Sequence, residues 1–337
     1  MKKTIIIAEA GVNHNGDINI AKKLIDVAAK ARVDYVKFQT FKTENLLTKE
    51  AEKAKYQIEN TNDDSQFEML KKLELDVESH HILIDYCSQK NIKFLSTGFD
   101  LESLDLLHKL NIPIFKVPSG EITNLPYLKK IASFNKPVII STGMCNLNEV
   151  VEAYKVMIGE GLNKKDITIL HCNTQYPTKM EDVNLKAMLT IQKEMNVNIG
   201  YSDHTLGIEV PIAAVAMGAV CIEKHFTLNR EMEGPDHKAS LEPQELKAMV
   251  TAIRNIEKAM GNGIKMTSPS EEKNMVVARK SIHLNKGLNR GQTLTENDLI
   301  MMRPGDGISP MDYEKLIGRK IKHPLDFHHK INLEDLV

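Results

Sequence analysis

Short apolar runs rich in β-branched residues alternate along the chain with longer stretches whose apolar residues recur at helical spacing. Such alternation is typical of strands that are each followed by a helix or a loop. Helical spacing is clearest in Ile20 to Ala31, in Asn146 to Met157 and in Glu242 to Met260. The pattern predicts eight strands, which are Thr4 to Ala8, Tyr35 to Phe38, Ile92 to Leu95, Ile114 to Val117, Val138 to Ile140, Ile167 to Leu170, Val197 to Tyr201 and Val220 to Lys224.

The number of strand–helix units decides between two α/β architectures. Eight units within residues 1–262 match a (β/α)8 TIM barrel, which typically needs about 250 residues. A doubly wound open sheet is the alternative, but the chain lacks the glycine-rich fingerprint of dinucleotide-binding members of that class. We therefore predict an α/β protein whose main part, residues 1–262, is a (β/α)8 barrel.

The regular alternation stops near Gly261. Residues 263–275 are polar and contain Gly, Ser and Pro, which is typical of a linker. Residues 276–337 contain short apolar runs and turn signals, so we expect a small separate domain there. A long charged insertion, residues 42–78, follows the second strand, and in a barrel it would overhang the catalytic face.

Composition narrows the class of protein. Of the 337 residues, 42% are hydrophobic and 26% are charged, which is ordinary for a globular chain and excludes general disorder. The 44 basic and 45 acidic residues leave a net charge of −1, which indicates neither a nucleic-acid partner nor an anionic membrane.

The first apolar run is short and ends at Glu9, as a strand would and a signal peptide would not. Four widely spaced cysteines predict reduced thiols in a cytoplasmic protein rather than disulfides or a zinc site: Cys87, Cys145, Cys172 and Cys221.

Polar side chains follow every predicted strand. Because the carboxyl ends of barrel strands line the active site, these side chains should share one concave polar pocket. The set combines lysines, histidines and glutamates next to apolar strands. Polar residues at the start of an ordinary loop would not need so many ionisable groups. In chain order the residues are Glu9, Asn13, His14, Lys37, Gln39, Ser96, Thr97, Lys116, Ser119, Glu121, Ser141, Thr142, His171, Asn173, Thr174, Ser202, Asp203, His204, His225 and Thr227.

Two histidines of this set suggest a metal site. His204 and His225 end adjacent predicted strands, so their imidazoles should lie within a few ångström of each other. Asp203 and Asp236 are candidates for nearby oxygen ligands. Two histidines with oxygen ligands and water suit Mn, Fe or Co and are tolerable for Zn.

Two lysines and several hydroxyls predict a site for a phosphate-like dianion. Lys37 and Lys116 would neutralise the charge, while the hydroxyls donate hydrogen bonds. The hydroxyl residues are Ser96, Thr97, Ser119, Ser141 and Ser202. A different interpretation makes Lys116 the Schiff-base lysine of a barrel aldolase.

A set of short motifs resembles the sialic acid synthase family, in the order in which that family carries them. The motifs are IIIAEAGVNHNGD, VKFQTF, FLSTGFD, FKVPSGEITN, IISTGM, LHCNTQYPT, GYSDHT, EKHFT and GPDH. The segment from Lys286 to Ile308 resembles the antifreeze-like (SAF) domain that ends those chains. The resemblance implies a (β/α)8 barrel followed by that small domain. It also implies a metal-dependent enzyme that condenses phosphoenolpyruvate with an N-acetylmannosamine-type sugar, giving a nine-carbon α-keto acid and phosphate by C–O cleavage.

The resemblance also implies roles for matching residues. His204 and His225 match the ligands of a divalent metal, for which Mn²⁺ is expected and Mg²⁺ or Co²⁺ are alternatives. Glu121 matches a glutamate placed near the reacting centre, and Arg303 matches an arginine that reaches the sugar from the small domain. Residues that match phosphoenolpyruvate binders are Lys37, Thr97, Lys116, Ser119, Ser141 and Ser202. Residues that match groups around the sugar are Glu9, Tyr176 and Asp236.

Among these residues, the expected catalytic groups are Glu9, Lys116, Glu121 and Asp236. Many family members carry Asn at the position of Thr174, so the residue that contacts substrate is either Asn173 or Thr174. The family places its small domain over the barrel of the partner subunit, which implies a domain-swapped homodimer.

The amino-acid sequences of three motifs indicate the acceptor sugar. STGFD, PSGEITN and STGMC resemble the bacterial legionaminic acid synthases of the family, whose acceptor is 2,4-diacetamido-2,4,6-trideoxymannose. N-acetylneuraminate synthases, which use N-acetylmannosamine, often read STPFS and GSGECNN at the first two places. Pseudaminate synthases are a third alternative, and a non-enzymatic carbohydrate-binding or ice-binding role would follow only from the small domain.

Overall fold

The protein is described here by a computed structural model that covers residues 3–337. The chain forms two compact units, the first ending at Asn262 and the second spanning Gly263–Val337. None of the helices in the described residues is long and apolar enough to cross a membrane.

The described part of the first unit is built on an eight-stranded parallel sheet. The strands are β1 (Ile5–Gly11), β2 (Tyr35–Thr40), β3 (Lys93–Gly98), β4 (Phe115–Val117), β5 (Val138–Ser141), β6 (Ile167–Cys172), β7 (Asn198–Asp203) and β8 (Cys221–His225). Their order is β3-β2-β1-β8-β7-β6-β5-β4, and the two end strands, β3 and β4, also lie against each other. Because each strand neighbours those before and after it and β1 pairs with β8, the sheet is a nearly closed (β/α)8 barrel. The predicted barrel is confirmed, and the doubly wound alternative is wrong.

Most strands continue beyond the predicted carboxyl end. β1, for example, runs to Gly11 and β7 to Asp203, whereas the apolar pattern ends at Ala8 and Tyr201. Apolar periodicity stops at the first polar residues, but backbone pairing does not depend on side-chain polarity. Several polar residues expected in loops therefore lie within the ladder, where the pleat decides which way each points.

Helices surround the barrel, and several begin at a side chain that caps their first backbone amides. Asp17 and Asp100 accept such bonds, and Asn146 forms a capping box with Glu149, as its position in the sequence predicts. The helices of this unit are α1 (Ile18–Ala31), α2 (Thr43–Leu46), α3 (Lys55–Asn60), α4 (Gln66–Lys71), α5 (Val77–Gln89), α6 (Leu101–Lys109), α7 (Leu125–Ser133), α8 (Leu147–Gly159), α9 (Lys186–Met195), α10 (Glu209–Ala216) and α11 (Pro243–Ala259).

The insertion between β2 and α5 forms three short helices, α2, α3 and α4. It has its own small apolar cluster, in which Met69 and Leu73 pack with Val12 and Phe41. Val12 follows β1 and Phe41 follows β2, so the cluster fixes the insertion on the carboxyl end of the barrel.

The second unit has a separate apolar core that includes Ile282, Leu284 and Ile331. An antiparallel pair, β9 (Ser281–Leu284) and β10 (Leu299–Met302), forms part of it. A short helix, α12 (Glu272–Ala278), begins inside the segment predicted as a linker. The chain therefore regains regular structure a few residues earlier than the polar sequence suggests.

Candidate active site

A cavity of about 180 Å³ opens at the carboxyl end of the barrel, within the first unit. Its wall combines lysines, glutamates, histidines and hydroxyls with apolar residues such as Phe99 and Met144. The lining residues are Glu9, Lys37, Gln39, Thr97, Phe99, Lys116, Pro118, Ser119, Gly120, Ser141, Met144, Cys172, Thr174, Tyr176, Ser202, His204, Glu223 and His225. Most residues predicted to bind substrate or metal therefore share one cavity.

Strand register explains why three of these side chains meet. In the β1–β2 pair Glu9 lies opposite Lys37, and in the β1–β8 pair Glu9 lies opposite His225. Gly11 has φ of +53°, and a Cβ there would lie 3.3 Å from both Glu9 Oε1 and His225 Cε1. Glycine thus suits the backbone and leaves space beside the two side chains.

Four buried charges form the floor of the cavity, namely Glu9, Lys37, Lys116 and Glu223. Lys37 pairs with Glu9 and lies 3.6 Å from Glu223 Oε2, while Lys116 lies 3.4 Å from Glu223 Oε1. Hydroxyls complete the cluster. Lys37 donates to Thr97 Oγ1 at 2.8 Å, and Lys116 donates to Ser141 Oγ at 2.7 Å.

The two carboxyl groups of the floor titrate differently. Burial opposes ionisation of Glu223, but Lys116 and Lys37 outweigh it and lower its pKa to about 2. For Glu9, burial outweighs the attraction of Lys37 and raises the pKa to about 7. Burial alone would lower the pKa of Lys37, but Glu223 and Glu9 raise it. With Glu9 protonated, the cluster carries net positive charge, which suits an anionic ligand.

His204 and His225 face each other across the cavity, with ring centroids 5.5 Å apart. Burial lowers the pKa of His204 to about 4, and burial together with His204 and Lys37 lowers that of His225 well below its usual value. Both rings are therefore neutral at pH 7 and offer lone pairs, as metal ligands require.

Hydrogen bonding also fits a metal between these rings. His204 Nδ1 donates to the carbonyl of Asn173 at 2.5 Å, which leaves Nε2 as the unprotonated nitrogen. His225 Nδ1 is buried and has no hydrogen-bond partner among residues 3–337. Within the same residues no group of three His, Cys, Asp or Glu side chains could hold an ion. The protein would thus supply two nitrogens, leaving the other positions to substrate and water.

Some strand-end residues point out of the barrel because they are one position out of phase with the cavity. The Ser96 hydroxyl oxygen lies 2.6 Å from that of Thr40, and His171 Nε2 lies 3.0 Å from the carbonyl of Val183. Asp203 forms a buried ion pair with Lys224 on the outer face. Asp203 is therefore not an oxygen ligand beside the histidine pair.

The structure separates Thr174 from Asn173. Thr174 lines the cavity, while the Asn173 side-chain oxygen accepts from the backbone amide of Gln175 at 2.7 Å. Only the carbonyl of Asn173 reaches the site, through His204.

Of the strand-end set, Asn13, His14, Thr142 and Thr227 also lie outside the residues that line the cavity. Three other residues with a predicted catalytic or binding role lie outside them too. Glu121 is half-buried and accepts from Asn124 at 2.6 Å. Asp236 is buried, and burial raises its pKa to about 6. Arg303 belongs to the second unit, where it is exposed and donates through Nε to the carbonyl of Ala278 at 3.0 Å.

Sequence reasoning missed Glu223, which interacts with both cavity lysines. The signal was available, because Glu223 precedes His225 by two residues in one strand and such residues share a face. Phe99, Met144 and Cys172 also line the cavity without having been singled out. They are apolar or weakly polar, so the search for charged and hydroxyl residues passed over them.

Comparisons with known proteins identify the family of the chain. The sequence profile of the NeuB family matches residues 24–265, and that of the SAF domain matches residues 279–326. N,N'-diacetyllegionaminic acid synthase of Campylobacter jejuni subsp. jejuni is 56% identical over 320 residues, covering 95% of this chain and 96% of that protein. The protein of the same name from Legionella pneumophila subsp. pneumophila is 48% identical, covering 94% and 90%.

A solved structure supports the same assignment. The N-acetylneuraminic acid synthetase of Leptospira borgpetersenii, crystallised with citrate, superposes with a TM-score of 0.71 at 34% identity, covering 81% of this chain and 90% of that one. The predicted resemblance to sialic acid synthases and the predicted SAF domain are thereby confirmed.

Proposed function

The chain belongs to the NeuB family and carries a SAF domain, and we propose that it is a phosphoenolpyruvate-dependent legionaminic acid synthase. It condenses phosphoenolpyruvate with 2,4-diacetamido-2,4,6-trideoxymannose and water, and releases N,N'-diacetyllegionaminate and phosphate. The observation that carries the proposal is one cavity that combines a lysine-rich floor with a pair of neutral histidines. The 56% identity to a synthase of that product supports the choice of acceptor.

The floor of the cavity is suited to phosphoenolpyruvate. Lys37 and Lys116 offer ammonium groups, and the high pKa of Glu9 lets the cluster carry the positive charge that the anion needs. Hydroxyls around the lysines donate to phosphate or carboxylate oxygens. In this proposal the phosphoenolpyruvate site consists of Lys37, Thr97, Lys116, Ser119, Ser141 and Ser202, with Thr174 at its edge.

The histidine pair is suited to the aldehyde end of the open-chain sugar. His204 and His225 would hold a divalent cation, for which we propose Mn²⁺, with Mg²⁺ and Co²⁺ as alternatives. When bound, such an ion polarises a carbonyl and makes its carbon more electrophilic. Tyr176 covers this end of the cavity, with its ring centroid 4.1 Å from that of His204.

The reaction then follows from these positions. The methylene carbon of phosphoenolpyruvate forms a bond to the aldehyde carbon, and the aldehyde oxygen takes a proton. Glu9 can supply that proton, because its pKa of about 7 leaves it partly protonated at neutral pH. Water adds to the phosphate-bearing carbon and gives up one proton, which restores protonated Glu9. The C–O bond to phosphate then breaks as the new hydroxyl loses its remaining proton and becomes the keto oxygen, and phosphate leaves with that proton. Lys37 and Lys116 stabilise the charge that collects on the departing phosphate.

Lys116 has a position that favours this role over that of a Schiff-base lysine. Its ammonium donates to Ser141 and lies beside Glu223, whose pKa is lowered to about 2. These two contacts hold the Lys116 ammonium at the floor of the cavity, where negative charge collects on a departing phosphate. The four free cysteines suit a reducing compartment, and we infer a cytoplasmic location.

The direct test is phosphate release from phosphoenolpyruvate by metal-stripped enzyme, with and without added Mn²⁺. N-acetylmannosamine and 2,4-diacetamido-2,4,6-trideoxymannose are supplied in parallel. We expect metal-dependent release with a preference for the diacetamido sugar, and loss of release in His225→Ala. A preference for N-acetylmannosamine would make the enzyme a sialate synthase. No phosphate release with either sugar, together with trapping of substrate on Lys116 by borohydride whether or not a chelator is added, would instead establish the aldolase.

We also propose that the enzyme works as a domain-swapped homodimer, in which Arg303 of one subunit completes the acceptor site of the other. The proposal rests on family membership and on the exposed guanidinium of Arg303 in its own unit. Enclosure by a second domain would exclude water from the reactive intermediate.

Mixing two inactive variants tests the exchange of domains. His225→Ala disables the barrel and Arg303→Ala disables the small domain, so each homodimer should be inactive. In a swapped heterodimer one site combines the intact barrel with the intact small domain, and turnover returns at about a quarter of all sites. If each small domain served its own barrel, mixing would restore nothing.

A further inference from the structure

The insertion between β2 and α5 supplies a second tyrosine, Tyr56, which packs on Tyr176 of the cavity wall. The Tyr56 ring stacks on that of Tyr176, with centroids 5.3 Å apart and planes at 27°. Tyr176 in turn lies 4.1 Å from the ring of His204. Three rings therefore run in contact from the histidine pair out to helix α3.

Helix α3, which carries Tyr56, is fixed to the segment that leads to Asp236. Asn60 Nδ2 donates to the carbonyl of Pro235 at 3.1 Å, and the amide of Gly234 donates to the carbonyl of Asn60 at 3.4 Å. These bonds join two segments far apart in sequence. Tyr56 is thus held in place relative to Tyr176 and Asp236.

The surroundings keep Tyr56 a neutral phenol. Burial raises the pKa of Tyr56, and the carboxylate of Asp236 raises it further. Burial, Asp236 and Tyr56 raise the pKa of Tyr176 in the same way. The two rings consequently present uncharged aromatic faces, and the Asp236 carboxylate lies close enough to raise the pKa of both.

We propose that Tyr56 selects the acceptor, by packing its ring against the 4-acetamido methyl and the 6-methyl group of the diacetamido sugar. The inference rests on the proposed function and deepens it. With the aldehyde at the histidine pair, the distal carbons of the sugar lie along the Tyr176–Tyr56 stack. Methyl groups gain from contact with an aromatic face, whereas the hydroxyls of N-acetylmannosamine at these positions would lose water there without a partner.

The test compares kcat/KM for the two sugars in Tyr56→Ala and Tyr56→Leu. For the diacetamido sugar we expect a loss of about 10- to 100-fold in Tyr56→Ala and a smaller loss in Tyr56→Leu. For N-acetylmannosamine we expect less than about 3-fold change, with the KM for phosphoenolpyruvate unchanged. Tyr86→Ala removes a half-buried tyrosine on α5 whose hydroxyl donates to Asp26, and it should leave the preference unaltered.

Three results would contradict either the role of Tyr56 or the function on which it rests. Equal losses for both sugars in Tyr56→Ala and Tyr56→Leu would mean that Tyr56 only holds α3 in place, and would overturn the inference. An unchanged preference in a folded variant would do the same while leaving the proposed function intact. A wild-type enzyme that releases phosphate with neither sugar would overturn the proposed function itself, and the inference with it.

Discussion

The inner and outer faces of the barrel strands carry buried charged groups whose hydrogen bonds are satisfied to different degrees. On the outer face Lys224 donates to Asp203 and to the carbonyl of Thr205, both at 2.5 Å. Asp203 also accepts from the amide and the hydroxyl of Thr205. Both ion-pair side chains are 0% exposed, and their hydrogen-bonding capacity is largely used within the protein.

On the inner face, comparable buried polar groups lack hydrogen-bond partners. Glu9 Oε1, Glu223 Oε2 and His225 Nδ1 are buried and have no hydrogen-bond partner within residues 3–337. All three residues have strongly shifted pKa values, and Glu223 also pairs with two lysines. A buried ion pair whose hydrogen bonds are all made contributes to structure. Polar groups that face a cavity and lack hydrogen-bond partners are available to a ligand.

Removing one ammonium from each face should produce the largest contrast. Lys224→Met leaves Asp203 buried without its counter-ion, and we expect the free energy of unfolding to fall by about 3–5 kcal/mol. Lys37→Met should cost less than about 1 kcal/mol, because Glu9 can protonate and Glu223 keeps Lys116 as a counter-ion. Its kcat/KM should instead fall by about 10²–10³-fold or more. Urea unfolding and steady-state kinetics on both variants make the comparison.

A double variant provides the control for the outer face. Asp203→Leu combined with Lys224→Met removes both charges, so it should regain part of the stability lost in Lys224→Met. The contrast between the faces would fail if Lys37→Met unfolded as easily as Lys224→Met. It would also fail if the double variant were no more stable than the single one.

Asp236 is another buried carboxyl group, and we expect it to have a smaller, pH-dependent effect on the free energy of unfolding. Burial raises its pKa from 3.8 to about 6. A raised carboxyl pKa means that the folded state favours the protonated acid, so stability present at low pH is lost as pH rises from about 4 to about 6. Asp236→Asn does not titrate, and should gain stability relative to wild type across that window. The gain is about 1.4 kcal/mol for each unit by which the pKa is raised.

Urea unfolding at a series of pH values from 4 to 7 measures this difference, with Asp203→Asn as the matched substitution. Asp203 is paired with Lys224, so Asp203→Asn should be less stable than wild type at neutral pH. A constant difference between Asp236→Asn and wild type over the series would contradict the assignment of a raised pKa to Asp236.

The comparison also explains how far sequence reasoning could go. Periodicity predicted all eight barrel strands, since each strand's apolar run is a local property. It also placed His204 and His225 together, because they end strands adjacent in a barrel. It could not separate Asp203 from His204, since consecutive residues of a strand point to opposite faces and the phase depends on the whole sheet.

Other features required contacts between distant segments. Glu223 becomes a partner of Lys37 and Lys116 only when β8 is packed beside the other strands. Tyr56 lies in a polar, charged insertion whose sequence gives no sign of the ring it meets. Such contacts depend on how loops fold over the barrel, which local patterns do not encode.

The sequence by itself therefore determined the class of the fold, the inventory of strand-end chemistry and the family. Those follow from periodicity and from ordered motifs, both of which are read along the chain. The tertiary structure alone decided which polar side chains enter the cavity, which are neutral there and which instead stabilise the outer face. The physical reason is that pleat, register and burial set the direction of a side chain and its pKa, and all three arise from neighbours far away in sequence.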